Sequence, residues 1–494
     1  MIPHKQLTLG DIYTECREIL EEDKPAFLSL LDEHINLSEI IPSSCYDMFY
    51  KGVGRNRKYP LHGFLWALII QKIFTIPTDQ LLLTFLNYSK TLRTFCGFTK
   101  VPDASKITRF KQEFLPILQS VFDRLVDITE PICRAIDAEK ADMTIFDSSG
   151  VEAWVRENNP KFADKIIRQL KSYAKAMNFD KSFDPYKAAY GSMPSCACAN
   201  PQIKQLYING HFCYVYKFGL VTNGLGIVRH VSFYNKDFFD THTEIEIHKK
   251  SDSPDEDKSV HDARLLIPTL QDYFKAHPLI NPKTFLGDAA FDSALIYRDL
   301  LTGDTFGKDA SGKGIHFAKA FIPLNGRSIL VSEDFTINDN GVPCCPHDPS
   351  LPLKPENVAK CRNGLVRYKF VCPNMVWRKG ESGKHQRITT CKTPCTPSRS
   401  GRMAYTYPEK DLRAFPGTVR GTPEWDATYK IRCAAERTIN HFKQNLCVAD
   451  RRTQNAKTIH ADLLLAGISQ LISVTLADKI HKHQYFRSLK PLIA

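Results

Sequence analysis

The residues best suited to chemistry lie in one segment near the C-terminal end of the chain. An α-helix turns about 100° per residue, so four of them would fall within an arc of about 60°: Tyr429, Arg432, Glu436 and Lys443. An adjacent apolar stripe would contain Ala435, Ile439, Phe442 and Leu446. The spacing predicts a helix that buries one side and presents a carboxylate beside two cations and a phenol. The alternative is a solvated surface with an Arg432–Glu436 ion pair, because i,i+4 pairs are common.

Two further carboxylates follow short apolar runs earlier in the chain. Asp147 follows residues 143–146, and Asp288 follows residues 284–287. Each run has the length and composition of a buried strand, so each aspartate is predicted at a strand end. Two aspartates and Glu436 suit phosphodiester chemistry, in which two hard cations about 3.5–4 Å apart activate the attacking oxygen and stabilise the leaving oxygen. Mg²⁺ keeps several waters and takes few carboxylates, so three acids suffice.

Several strings of this sequence resemble a known family. The spacing Y-x2-R-x3-E-x6-K, which begins at Tyr429, is similar to the signature around the catalytic glutamate of DDE-type bacterial insertion-sequence transposases. TIFDSSGVEAW and FLGDAAFDS resemble the two aspartate motifs of that family, in the same order. RKYPLHGFLWALIIQKIF and VPDASKITRF resemble the helical domain that precedes its catalytic core. The resemblance covers residues 57–325 and 420–475, which is most of the chain.

This resemblance implies a fold and an activity. The fold would be α/β, with an RNase H-like mixed-sheet core interrupted by a Cys-bearing insertion and preceded by an all-helical DNA-binding domain. Asp147, Asp288 and Glu436 would hold two Mg²⁺ or Mn²⁺ ions. The enzyme would cut double-stranded DNA at the terminal inverted repeats of its mobile element, and the freed 3′-hydroxyl would attack target DNA. No covalent enzyme intermediate is implied.

The resemblance also implies partners and a location. Pairing two element ends requires at least a homodimer on DNA, and the protein would act in a bacterial cytoplasm, at the nucleoid and away from membranes. Two alternatives stay open. One is a catalytically retired, domesticated DNA-binding protein, and the other is a metal-dependent nuclease that cuts without joining ends.

Composition narrows the class of protein independently of the resemblance. With 494 residues, 43% of them hydrophobic, the chain has room for two to four domains and is neither disordered nor fibrous. Its 15 Cys are too few for a disulfide scaffold, so a reducing compartment with free or metal-bound thiols is predicted. The polar start predicts no secretory leader, and the longest apolar run, residues 64–70, is far short of the ~20 residues that span a bilayer.

The positive charge is concentrated in particular stretches. The formal net charge of +12 by itself favours neither the presence nor the absence of a polyanionic partner. Residues 430–457 carry seven Lys or Arg against two acids, and residues 161–177 place five cations on one side of a predicted helix. These stretches favour a phosphate backbone as partner. The resemblance implies that Tyr429, Arg432 and Lys443 contact DNA phosphates. The further predicted DNA contacts are Arg451, Arg452, Lys106 and Arg109.

Periodicity and turn signals divide the chain into four segments. Residues 1–135 are predicted to be helical, either as a plain bundle or with a helix-turn-helix that ends in a basic helix. Residues 136–326 alternate strand and helix patterns and would form the first part of the core. Residues 327–424, rich in Cys, Pro and Gly, are predicted to be a loop-rich insertion, and residues 425–494 to supply the closing helices of the core.

The insertion also carries candidate zinc ligands. Cys391 and Cys395 have a C-x3-C spacing that suits a ligand pair, and Cys345 and Cys372 are the best candidates for the second half. A structural Zn²⁺ is therefore one hypothesis. Free buried thiols are the other, and they are favoured slightly because the second pair is far apart in sequence.

Overall fold

A computed structural model describes most of the chain. The described residues are 25–50, 56–180, 182–208, 211–245, 260–308, 312–326, 335–360, 366–380, 383–398, 401–407, 412–450 and 452–493. Within these ranges the protein is mixed α/β, and the region before residue 137 is helical. The prediction of a mixed α/β protein with a helical N-terminal region is therefore confirmed.

The described secondary structure comprises eighteen α-helices and twelve strands. The helices are α1 Ala26–His34, α2 Leu37–Ile40, α3 Ser43–Tyr50, α4 Leu61–Ile73, α5 Asp79–Tyr88, α6 Lys90–Phe95, α7 Ala104–Glu113, α8 Leu115–Ile136, α9 Ala138–Ala141, α10 Pro160–Ala176, α11 Pro185–Ser192, α12 Lys236–Thr241, α13 Asp262–Ala276, α14 Ala294–Leu301, α15 Pro423–Tyr429, α16 Cys433–Asn440, α17 Ala456–Lys479 and α18 Lys490–Ile493. The strands are β1 Met143–Glu152, β2 Cys196–Ala197, β3 Asn200–Ile208, β4 His211–Thr222, β5 Val228–Phe233, β6 Thr284–Leu286, β7 Lys319–Phe321, β8 Lys354–Lys360, β9 Val366–Val371, β10 Met375–Lys379, β11 His385–Thr389 and β12 Met403–Thr406.

The chain folds into two compact units, and strands β1 and β4 run from one into the other. The first unit contains residues 1–136, 150–216 and 438–494, and the second contains residues 137–149 and 217–437. The four segments read from the sequence, with boundaries after residues 135, 326 and 424, stay a prediction.

Helix α17 is the central helix of the first unit. It packs against α4, α7 and α8, and its residues from Ala461 to Ala477 are buried. By length and composition it could cross a membrane, but 94% of its most apolar window is buried inside the protein. It is therefore a core helix of the first unit, which agrees with its apolar sequence.

A salt-bridge network is buried in the same unit. Asp462 of α17 lies 3.1 Å from the ammonium groups of both Lys72 and Lys111, and all three side chains are inaccessible to solvent. Lys111 also pairs with Asp79 at 2.8 Å. Lys111 lies in the basic helix that would end a helix-turn-helix, but its side chain points inward and compensates Asp462.

A mixed sheet forms the framework of the second unit. The second half of β4 pairs antiparallel with β5 and lies beside β1, which is followed by β6 and β7. Both β1 with β6 and β6 with β7 pair in parallel. Helix α13 spans the residues predicted for it, 262–276. In the first unit, β2, β3 and the first half of β4 pair antiparallel.

The Cys-rich segment contains more regular structure than the sequence indicates. The order β12-β9-β8 forms a three-stranded antiparallel sheet, and β10 and β11 form a hairpin. The described part of this segment still consists mostly of turns and loops, but the sequence did not predict these five short strands. In β9 apolar Tyr368 and Phe370 alternate with Arg367 and Lys369, a period-2 pattern that suits a half-buried strand. The frequent Pro and Gly residues around these short strands obscured that pattern.

Candidate active site

Strand pairing brings the two predicted aspartates to the same edge of the sheet. The last described pair of the parallel ladder between β1 and β6 is Ile145 with Leu286. Two residues further along the chain stand Asp147, within β1, and Asp288, just beyond the end of β6. Adjacent strands lie about 4.8 Å apart, and residues two apart share a face. The register therefore places both carboxylates on the face that carries Ile145 and Leu286.

One strand continues beyond its aspartate. Strand β6 ends at Leu286, so Asp288 follows a strand end as predicted, but β1 continues to Glu152. The prediction that Asp147 ends its strand is therefore wrong. The apolar run stops at Phe146 because residues 147–149 are only partly buried, whereas the strand continues to Glu152.

Short side chains of α16 pack directly on this face. Ala434 and Ala435 join one apolar cluster with Ile145 and Leu286. Alanine allows the helix backbone to approach the sheet closely, and the next residue, Glu436, then follows at the edge where the aspartates stand. The predicted apolar stripe explains this contact, since Ala435 belongs to it.

The predicted helix over residues 425–446 is interrupted twice. Helix α15 ends at Tyr429, a 3-10 turn covers Lys430–Arg432, and a π-helical turn covers His441–Asn445 beyond α16. A 3-10 turn advances about 120° per residue and a π turn less than an α-helix, so the predicted 60° arc does not hold as drawn. π turns in helices often occur at functional sites.

Arg432 is the positively charged residue that interacts with all three predicted catalytic carboxylates. Its Nη2 lies 2.5 Å from Oε1 of Glu436. Burial by itself would lower the pKa of Arg432, but the nearby Tyr429, Glu436, Asp288 and Asp147 together raise it. Five of the six residues of the predicted triad and signature therefore act on one another electrostatically. Lys443, the sixth, belongs to the first unit, where its charge acts on Cys213.

The carboxyl group of Asp147 is held in an unfavourable setting for its charged form. Burial raises its pKa to about 6, and the charges of Asp262 and Glu436 act in the same direction. The backbone N–H of Ser148, which donates to Asp147 Oδ1 at 2.9 Å, and the guanidinium of Arg432 oppose this rise. A partly buried carboxylate beside two others is an arrangement that a cation stabilises.

The aromatic residues of α15 support the arginine. Tyr429 stacks on Trp425 with 4.8 Å between ring centroids, and the Arg432 guanidinium lies 5.8 Å from the Tyr429 ring. Burial raises the pKa of Tyr429, and the charge of Asp288 raises it further, whereas the charge of Arg432 lowers it. Its phenol therefore stays protonated at neutral pH.

A fourth carboxylate, Asp262, was missed by sequence reasoning. The Ser148 hydroxyl donates to Asp262 Oδ1 at 2.6 Å, and the Lys217 ammonium lies 2.8 Å from the same oxygen. Burial would raise the pKa of Asp262, but Lys217 and Ser148 hold it below its ordinary value. In the sequence Asp262 is only the first residue of a helix, so no spacing or motif connects it with Asp147.

The donor chemistry fits a hard divalent cation, although the described side chains do not converge as ligands. Among the residues that the structure describes, no group of three or more His, Cys, Asp or Glu is arranged to hold a metal ion. Arg432 instead neutralises Glu436. Carboxylate oxygens are the ligands that Mg²⁺ and Mn²⁺ prefer. The raised pKa of Asp147 means that its ionised form is disfavoured, and a bound cation would stabilise that form. Binding would require Glu436 to leave Arg432.

The other predicted DNA contacts have separate surroundings. Lys106 and Arg109 are exposed on α7, whose first turn is capped by the Asp103 carboxylate. The Arg452 guanidinium lies 5.3 Å from the ring of Trp154 in the first unit. Arg451 falls outside the described residues. Their roles on DNA, and the helix-turn-helix, stay predictions.

The four predicted zinc ligands all lie in the second unit as free thiols. Cys345 and Cys372 are buried, whereas Cys391 and Cys395 are half-buried. Burial raises the pKa of Cys395, and the nearby Cys345 and Cys372 thiols raise it further. These three cysteines are therefore near one another, but they do not form a group arranged for a metal ion in the described part of the chain. Zinc stays a prediction.

Comparison with known proteins adds one finding on the N-terminal region. Residues 15–113 match the family model described as the transposase domain (DUF772). This match supports a transposase role. It overlaps the segment whose sequence resembles the helical domain of transposases, and a transposase acts on DNA. No curated protein matches the chain.

Proposed function

We propose that this protein is a DDE-type transposase that binds the ends of its insertion element, cuts the DNA there and joins the freed end to target DNA. One observation carries the proposal. The parallel register of β1 and β6 and the packing of α16 bring Asp147, Asp288 and Glu436 to one edge of an α/β core. The transposase domain at residues 15–113 supports the same class of activity.

The three carboxylates would hold two divalent cations, Mg²⁺ or Mn²⁺. When bound, such a pair activates the attacking oxygen and stabilises the leaving oxygen of a phosphodiester. Asp147 must lose its proton to serve as a ligand, and its pKa of about 6 allows this at neutral pH. Asp262, held ionised by Lys217, accepts a hydrogen bond from Ser148 and so positions the strand beside Asp147.

Arg432 and Tyr429 would bind the scissile phosphate. The arginine would exchange the Glu436 carboxylate for phosphate oxygens, which a guanidinium can bind through two parallel N–H donors. The protonated Tyr429 phenol donates a hydrogen bond to the same phosphate. Lys443, Arg452, Lys106 and Arg109 would contact the DNA backbone further from the reacting bond, in a homodimer that pairs two element ends.

We propose that the core has an RNase H-like fold and that the Cys-bearing segment with strands β8 to β12 is an insertion in it. The protein would act in a bacterial cytoplasm. For Cys345, Cys372, Cys391 and Cys395, a structural Zn²⁺ and four free thiols stay the two hypotheses. Metal analysis of the purified protein decides between them: about one zinc per chain, lost in Cys372→Ser and in Cys395→Ser, would indicate a zinc site, whereas no bound zinc would indicate free thiols.

The decisive experiment incubates the full chain with a labelled duplex that carries its own element end. With Mg²⁺, cutting at the element end is expected, and Glu436→Gln should abolish cutting while duplex binding survives. Glu130→Gln is the matched control, because Glu130 forms an i,i+4 pair with Arg134 that resembles the Glu436–Arg432 pair.

Other outcomes would favour the two alternatives. Specific binding of the element end without cutting, in Mg²⁺ and Mn²⁺, would indicate a retired DNA-binding protein. Metal-dependent cutting without joined products would indicate a nuclease. Cutting that persists in Glu436→Gln would overturn the assignment of the triad.

A further inference from the structure

An open groove of about 790 Å³ in the first unit contains an exposed tryptophan. Trp154 is 61% exposed, although its large apolar ring would gain free energy from burial. The groove also contains Arg156 and Arg452, together with the acids Glu152 and Asp450. The proposed cleavage chemistry uses neither Trp154 nor this groove.

The backbone holds the tryptophan in place. The backbone N–H of Trp154 donates to the carbonyl of Thr453 at 3.1 Å, and Thr453 stands between the groove residues Arg452 and Gln454. On its own side, the Asn158 amide donates to the Ala153 carbonyl at 2.8 Å and to the Tyr214 carbonyl at 2.7 Å. The Tyr216 hydroxyl donates to the Gln454 carbonyl at 2.7 Å. These hydrogen bonds hold the backbone of Trp154 and join residues 153–158 to residues 453 and 454.

The charges around the indole select the kind of partner. Arg452 lies 5.3 Å from the ring, so a cation stands next to an open aromatic surface. Glu152 and Asp450 would repel a phosphate backbone inside the groove, whereas an uncharged base would not be repelled. Outside the groove, α10 begins at Pro160, a groove residue, and exposes Lys161, Lys165, Arg168, Lys171 and Lys175.

We propose that this groove binds an unpaired nucleotide of DNA, with the base stacked on Trp154 and the flanking phosphates on Arg452 and α10. Aromatic stacking of this kind is sequence-tolerant, because every base has a π face, and it is typical of proteins that bind single strands. The proposal rests on the proposed function and deepens it, since it names where an unpaired part of the DNA substrate would bind. The groove would hold a strand separated from its partner.

The test measures binding of the full chain to two labelled single strands by fluorescence anisotropy. One probe is a twelve-residue thymidine oligonucleotide, and the other is an abasic strand of the same length and charge. The protein should bind the thymidine strand more tightly than the abasic strand. Stacking of a base contributes about 1–3 kcal/mol, so Trp154→Ala should weaken thymidine-strand binding by about fivefold to 150-fold. It should leave abasic-strand binding unchanged, and Trp154→Phe should retain most of the affinity.

A matched control exists in the β10–β11 hairpin. Trp377 is 62% exposed, and the Arg387 guanidinium lies 5.0 Å from its ring. Trp377→Ala should leave binding of both strands unchanged. Equal affinity for the two strands, or equal losses in Trp154→Ala and Trp377→Ala, would overturn the proposal. Because no metal or cleavage is involved, these results are independent of whether the triad cuts DNA.

Discussion

At the residue scale, the fold changes the proton equilibrium of Asp147. Its pKa is raised from 3.8 to about 6, chiefly by burial. The folded state therefore binds a proton that the unfolded state releases, and the stability that this proton supplies is lost as the pH rises from about 4 to about 6. Above pH 6 the ionised carboxylate costs up to about 3 kcal/mol of folding free energy, which a bound cation would offset.

This shift predicts how stability responds to pH and divalent cations. Without metal, Asp147→Asn should raise the Tm at pH 7.5 and change it little at pH 4. Mn²⁺ or Mg²⁺ should raise the Tm of the unchanged protein at pH 7.5 but not at pH 5, where Asp147 keeps its proton. Thermal unfolding at the three pH values measures both effects. A metal-dependent rise of equal size in Asp147→Asn would contradict the assignment.

A second residue-scale prediction concerns Asp262. Because its charge raises the pKa of Asp147, Asp262→Asn should move the acidic limb of the cleavage pH profile to lower pH. A residue with only a structural role would lower the rate without moving the limb. Ser148→Ala is the control, since it removes the hydrogen bond to Asp262 but keeps the charge. A limb that stays in place in Asp262→Asn would refute the electrostatic coupling.

At the element scale, Asp462 joins three helices of the first unit through its ion pairs with Lys72 and Lys111. Asp462→Asn should leave two buried ammonium groups with less compensation, and losses of about 3–5 kcal/mol are typical when one partner of a buried pair is removed. Denaturant unfolding measures the loss. Glu130→Gln, which breaks the exposed pair with Arg134, should cost less than about 1 kcal/mol.

The contact between α16 and the strands gives a second element-scale prediction. Ala435 is fully buried in a cluster with Met143, Ile145 and Leu286. Ala435→Leu should cost about 1–3 kcal/mol through overpacking and displace Glu436 from Asp147, so cleavage should fall while duplex binding survives. Unfolding and cleavage assays give the two readings. Arg437→Leu, at an exposed neighbouring position, should leave stability within about 0.5 kcal/mol.

At the scale of the whole molecule, a net charge of +12 predicts salt-dependent DNA binding. Each phosphate contact contributes about 0.9 to the slope of log K against log salt. Replacing Lys161, Lys165 and Arg168 of α10 by Gln should therefore reduce the slope by about 2–3. The control replaces Arg378, Lys379 and Lys384 of the β10–β11 hairpin, which removes the same charge. Equal reductions would mean that net charge, and not α10, determines binding.

Local patterns in the sequence predicted several of the helices and strands and the candidate chemistry. Helical periodicity predicted the basic helix found at Pro160–Ala176, and short apolar runs predicted the strands before Asp147 and Asp288. These patterns are local, because burial of one face of a helix or strand makes apolar residues recur at a fixed spacing in the sequence. An interruption such as the π turn at His441–Asn445 produces no recurring spacing, and the regular helix predicted there is wrong.

Only the tertiary structure decided which groups act on one another. The pairing of Lys217 with Asp262, and of Asp262 with Ser148, joins residues 45 and 114 positions apart. Lys111 and Asp462 are 351 positions apart in the sequence. The sequence of the basic helix therefore could not predict that the Lys111 side chain points inward. The exposure of Trp154 was equally invisible, because tryptophan in an apolar pattern usually indicates a core. Long-range burial and charge compensation depend on the folded chain, and sequence spacing carries no record of them.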